Sequence, residues 1–147
     1  MDEPIVMEGA CHCGTVRFRV KLTDGLKTAR RCNCSYCGMR GAVAVTANLG
    51  DIAFEAGEDA LTLYQFNTRV AEHYFCSKCG IHTHHRRRSN PNEYSVSAAC
   101  LKGVRPFDFA EVPVFDGVHH PKDPGSGGTY RIAGYLRYER AVQASKP

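Results

Sequence analysis

Residues 71–88 read AEHYFCSKCGIHTHHRRR. Two short runs, AEHYFC (71–76) and IHTHHRRR (81–88), flank a Cys76-x-x-Cys79-Gly80 turn. A redox Cys-x-x-Cys opens a helix inside a βαβ unit. Here both flanks read as strands, so the pair has the look of a metal-binding knuckle, whose glycine lets backbone amides turn toward the sulfurs. A strand–knuckle–strand unit decides for an all-β domain, and the rest of the chain agrees with it.

TVRFRVKL (15–22) alternates Val16, Phe18 and Val20 with Arg17, Arg19 and Lys21, giving one buried and one wet face. GAVAVTANL (41–49) is small and β-branched. IAFEAGEDALTLYQF (52–66) reads as two strands joined at Gly57-Glu58-Asp59, and YSVSAACL (94–101) continues the series after a turn at Ser89–Asn92. VPVFDGVHHPKDPGSGGTY (112–130), rich in glycine and proline, is expected to be mainly loop, and YRIAGYLRYER (130–140) a last strand. Short strands at close spacing predict a mainly β fold with a long C-terminal loop.

At 147 residues the chain fits a single domain, 1–147, large enough to bury a core. No stretch approaches the roughly 20 apolar residues of a membrane helix, and MDEPIVMEGACHCG at the N-terminus lacks the pattern of a secretory signal. The expected location is cytoplasmic, where clustered thiols hold metal more often than they pair. A net charge of +4 favours anionic small molecules and does not demand nucleic acid; HHRRRSN lacks the interleaved aromatics that would suggest it.

Seven of the eight cysteines fall into three groups: Cys11-x-Cys13, Cys32-x-Cys34-x-x-Cys37 and Cys76-x-x-Cys79. Cysteines this close make strained disulfides. Seven zinc thiolates divide naturally into four, which close a tetrahedral structural site, and three, which leave a position open as catalytic sites do. Spacing alone permits two partitions. Cys34 and Cys37 with Cys76 and Cys79 would leave Cys11, Cys13 and Cys32 scattered. Cys11 and Cys13 with Cys76 and Cys79 leaves the compact triad Cys32, Cys34, Cys37 intact, and is the tidier choice.

GACHCGTVRF, RCNCSYCGMRG, GEDALTLYQFN, YFCSKCGIHTHH and SVSAACL together resemble the glutathione-dependent formaldehyde-activating enzyme family, which includes centromere protein V. The resemblance runs from about residue 9 to about 121. It implies a β-tent fold, a structural zinc on Cys11, Cys13, Cys76 and Cys79, and a second, catalytic zinc on Cys32, Cys34 and Cys37 beside a glutathione pocket. It also implies addition of glutathione to formaldehyde, formally a carbon–sulfur lyase run in reverse. A binding module with both zincs structural is the alternative.

Other residues carry weaker expectations. Cys100 reads as a buried thiol in a strand. His82 and His84 would share one strand face, with His85 on the other, and a histidine could close the triad. His119 and His120 follow Asp116-Gly117, a turn similar to one the family often carries, which could stand near the pocket. Arg86–Arg88 could grip glutathione carboxylates, although three consecutive strand residues cannot all face one ligand.

Overall fold

The computed structural model describes residues 5–125 and 127–142. Residues 143–147 lie at the end of the 122–147 stretch, beyond the span of the family resemblance. The larger of two sheets has seven antiparallel strands: β1 (Ile5–Ala10), β2 (Arg17–Leu22), β4 (Ala44–Ala56), β5 (Leu61–Tyr64), β6 (Glu72–Cys76), β7 (His82–Arg86) and β8 (Glu93–Ser97). Their spatial order is β1-β2-β4-β8-β7-β6-β5. The smaller sheet joins β3 (Arg31–Cys32), β9 (Glu111–Phe115) and β10 (Ile132–Arg137) in the order β10-β9-β3, with β3 parallel to β9. An α-helix, α1 (Ser35–Arg40), follows β3. The mainly β architecture is the one expected.

The period-two pattern is realised in β2, where Phe18, Val20 and Leu22 are buried and Arg17, Arg19 and Lys21 exposed. This face packs with Val45 and Ala47 of β4 and Val96 of β8 into the core. Three elements differ from expectation. The two strands expected at 41–49 and from 52 are one strand, β4. Its register against β2 jumps between Val20↔Ile52 and Leu22↔Ala47, and a bulge with Gly50 at φ 92° absorbs the polar Asn48–Asp51 stretch. β9 falls inside the expected loop. Its Pro113 is tolerated because β3 pairs only with Val114 and Phe115, leaving Pro113 beyond that short ladder. Cys100 lies in a 3-10 turn, Ala98–Cys100, and not in a strand.

The site depends on a bulge between β6 and β7. Tyr74 pairs with His84 and Phe75 with His82, so Thr83 is left without a partner. The extra residue breaks strict alternation. His82 and His85 therefore come to one side and His84 to the other, reversing the expected grouping.

Candidate metal centres and cavity

Four sulfurs converge where two hairpins meet. Cys11 and Cys13 sit in the turn between β1 and β2; Cys76 ends β6 and Cys79 follows in the turn to β7. All four lie within 4.8 Å of one another. Cys13 Sγ is 3.6 Å from Cys11 Sγ and 3.8 Å from Cys76 Sγ. Sulfurs held about 2.3 Å from a common zinc stand about 3.8 Å apart, so this donor set fits zinc and is too open for a disulfide. Backbone amides point at the sulfurs: Val16 N–H donates to Cys11 Sγ at 3.3 Å and Lys78 N–H to Cys76 Sγ at 3.4 Å. Gly80, at φ 77°, turns the second knuckle as its position suggests. The Thr15 hydroxyl lies 3.1 Å from Cys13 Sγ and holds that thiol down to about 6.

Cys32, Cys34 and Cys37 form a second cluster within 4.8 Å. Cys32 ends β3, and Cys34 caps α1, its Sγ accepting the Cys37 N–H at 3.4 Å. No helical period is visible here, because six residues are too few to show one. Gly38 is helical, and Gly41, at φ 68°, ends the helix. The thiols hydrogen-bond one another, which lowers Cys34 and raises Cys37. Three sulfurs this close cannot all ionise unless a cation joins them. Among the described residues no fourth Cys, His, Asp or Glu atom lies within 4.8 Å of all three. Cys100 is buried elsewhere with its thiol donating to the His82 carbonyl at 3.6 Å, and burial raises it to about 11.

All three triad cysteines line a cavity of about 470 Å³. Its wall carries five arginines, Arg30, Arg31, Arg40, Arg87 and Arg88, against one acid, Asp123. Arg87 pairs with Glu93 at 2.7 Å and Arg88 with Asp123 at 2.8 Å. Arg86 turns away to the Pro91 carbonyl at 2.7 Å. So the neighbours Arg87 and Arg88 both reach the cavity and Arg86 does not; alternation would separate two adjacent residues, but β7 ends at Arg86 and both lie beyond it. Sequence reasoning gave no role to Arg30 or Arg40. Arg30 is 6% exposed, and only neutral oxygens hold it: Thr46 Oγ1 at 2.7 Å, Ser95 Oγ at 2.5 Å and Thr28 O at 3.2 Å. No described carboxylate forms an ion pair with it. Burial, with Arg87 adding to it, brings it down to about 9, so it is still charged at neutral pH. Its one sequence signal was position, two residues before Cys32.

The histidines do not complete the triad. His82 and His85 gather with His73, which sequence reasoning missed, in a separate cluster within 4.8 Å. Arg40 Nη1 stands 2.7 Å from both ring nitrogens of His82, and Arg40 Nη2 lies 3.8 Å from Cys37 Sγ. The guanidinium already supplies a positive charge to this cluster, so it is a poor place for a metal ion. Burial and Arg40 hold His73 down to about 4 and push His85 well below its usual range. His84 lies apart, stacked on Tyr74 at 4.8 Å and near Phe54 at 5.6 Å. His119 is exposed and bonds Asp116 at 2.8 Å, whereas His120 is buried and lines the cavity.

His84 gives a pH prediction. Burial lowers it to about 4, so the folded state carries it neutral. The unfolded chain protonates it below about pH 6.5. Its contribution is fully present above pH 6.5 and is lost as pH falls toward 4, at up to about 1.4 kcal/mol per pH unit. In His84→Phe, urea unfolding midpoints measured from pH 7 to 4.5 should fall less steeply than in the unsubstituted chain. Equal slopes would show that His84 does not contribute.

A family model described as glutathione-dependent formaldehyde-activating enzyme matches residues 6–111, which hold both cysteine clusters. The chain belongs to the glutathione-dependent formaldehyde-activating enzyme family. A Halomonas elongata protein bearing that family's name is 34% identical over 83 residues, 51% of this chain and 52% of the relative. The chain thus matches about half the length of that curated relative. A crystal structure of a Rhodobacter sphaeroides protein is 56% identical, with a TM-score of 0.72, and covers 74% of this chain and 99% of its own. The cysteine clusters are consistent with zinc. No helix among the described residues is long and apolar enough to cross a membrane.

Proposed function

We propose that this chain joins a thiol to an aldehyde carbon, with glutathione and formaldehyde as reactants and S-(hydroxymethyl)glutathione as product. This is a carbon–sulfur lyase reaction run toward synthesis. The observation that carries the reading is a three-sulfur cluster, with no fourth side-chain ligand among the described residues, opening into an arginine-lined cavity. Zinc, held by Cys32, Cys34 and Cys37, would supply a Lewis-acidic ion that favours the ionised form of a thiol bound to it. Cys11, Cys13, Cys76 and Cys79 would hold a second, structural zinc.

The chain's own residues supply recognition and charge. Three thiolates on a dication leave a net charge of about −1, which weakens attraction for an anionic thiol. Arg40, beside Cys37, and Arg30, which interacts electrostatically with Cys32, offset that charge. Arg30 has a further use. A buried guanidinium with no carboxylate partner leaves its desolvation uncompensated, and a ligand carboxylate entering the cavity would complete it. Arg87 stands next to it, so two positive charges face one end of the ligand. Glutathione, with two carboxylates and one thiol, suits such a cavity.

The test is cobalt in place of zinc, because the visible spectrum of cobalt follows its thiolate count and geometry. Glutathione should change the spectrum of the cobalt-loaded chain, and S-methylglutathione, with no proton to lose, should change it far less. Thiol binding releases a proton, so apparent affinity should rise about tenfold per pH unit below the thiol's pKa of about 8.5. If calorimetry shows glutathione bound while the spectrum stays still, the sulfur does not reach the triad and the reading fails.

A further inference from the structure

The turn at Asp116–His120 brings one more group to the cavity. Asp116 Oδ1 accepts the backbone N–H groups of Val118 at 3.1 Å and His119 at 3.2 Å. Asn33 Oδ1, from between two triad cysteines, accepts those of Gly117 at 2.7 Å and Val118 at 3.1 Å. Gly117 packs so closely that a Cβ on it would stand 2.5 Å from Cys32 Sγ and 2.8 Å from Cys34 Cβ. Only glycine permits that approach. Turn and triad are therefore fixed against each other, and the turn delivers His120 to the wall of the same cavity.

His120 is 7% exposed, and its Nδ1 accepts the backbone N–H of Lys122 at 3.0 Å. An amide N–H can only donate, so Nδ1 holds a lone pair and the neutral ring carries its proton on Nε2. Burial, with Arg88 nearby, lowers the ring's tendency to take a second proton. His120 does not join the three sulfurs as a ligand atom. A cavity-wall histidine of fixed tautomer, outside the ligand set, suits an acceptor oxygen carried by the substrate.

We infer that His120 is a catalytic hydrogen-bond donor, its Nε2–H bonding to the carbonyl oxygen of the aldehyde as the sulfur attacks the carbon. The inference rests on the thiol–aldehyde reading above. The carbon–sulfur bond forms, and the carbonyl π pair moves onto oxygen. That oxygen then takes from water the equivalent of the proton the thiol released. His120 lends a hydrogen bond and transfers no proton. Donors aimed at a developing oxyanion are typically worth about 10²–10³ in kcat.

The test compares two ligands on the zinc-loaded full chain by calorimetry. S-acetylglutathione carries a carbonyl oxygen on the carbon bonded to sulfur; S-ethylglutathione has the same skeleton without it. The unsubstituted chain should prefer the acetyl ligand by about 3–10-fold, the worth of one net hydrogen bond. His120→Phe should abolish that preference, and His120→Gln, which keeps an N–H, should retain part of it. An undiminished preference in His120→Phe, with zinc content and melting unchanged, overturns the inference and leaves the thiol–aldehyde reading standing. If glutathione and both analogues all fail to bind, that reading falls and the inference with it. A long-range ¹H–¹⁵N spectrum of the unsubstituted chain needs no variant: it should show His120 protonated on Nε2, and a ring protonated on Nδ1 would equally overturn the inference.

Discussion

Cys76→Ser should yield protein that is unfolded or insoluble, the largest effect expected of any single substitution here. Cys76 is fully buried at the end of β6, and its cluster joins the β1–β2 turn to the β6–β7 turn. In the sheet order β1-β2-β4-β8-β7-β6-β5, strands β4 and β8 lie between those two hairpins. The sheet must curl for the four sulfurs to meet, and the cluster fastens that curl. Structural zinc contributes about 10–16 kcal/mol in small zinc-dependent peptides. A typical domain has about 5–15 kcal/mol of net stability. Removing one ligand also leaves a buried hydroxyl facing three thiols. Circular dichroism and soluble yield would measure the loss, and a strong chelator should produce the same collapse in the unsubstituted chain. Cys100→Ser, which removes a buried thiol outside both clusters, should stay folded with its metal content unchanged. A Cys76→Ser chain that melts within a few degrees of the original would rule out the four-cysteine cluster as a staple.

The cysteines and the strand periods were legible because each is a local signal. Cys76-x-x-Cys79-Gly80 completes its turn within five residues, although the same motif at Cys34–Gly38 runs into a helix, and β2 shows its buried face by alternation alone. Partition of the seven cysteines was half legible: spacing permitted two four-plus-three divisions, compactness favoured the one that keeps Cys32, Cys34 and Cys37 together, and the sulfur positions agree with it. What the sequence hid depends on register between distant segments. The β6–β7 bulge is a choice between pairings, and nothing in IHTHH marks which residue is skipped. That one residue moved His85 to the side of His73 and His82, and sent His84 to the aromatic side. Arg30 was hidden for a similar reason. Its meaning comes from what lies around it, Thr46 and Ser95 with no carboxylate, and those residues are 16 and 65 positions away. β9 was obscured by composition, since proline and glycine mark a loop unless the partner ladder is known to be short.

Cys34→Ser should behave in the opposite way to Cys76→Ser: it should keep the fold and lose the function. The triad spans only six residues, from the end of β3 into α1, so its metal cross-links little chain. Cys34 also caps α1, but serine is a favoured N-cap, and its Oγ can take the Cys37 N–H that Cys34 Sγ now accepts. The helix therefore keeps its start. What goes is one of three thiolates at a site with no fourth protein ligand among the described residues. Losing a partner behind a metal ligand typically weakens metal binding about 10–100-fold; losing a ligand itself should weaken it more. The expected result is a chain with near-native circular dichroism, about one zinc in place of two by metal analysis, no glutathione-dependent change in the cobalt spectrum, and no detectable adduct formation. Two outcomes would count against the four-plus-three division. Metal content unchanged at two per chain would mean that the triad does not need Cys34. Unfolding as complete as that of Cys76→Ser would mean that the triad, too, is a staple.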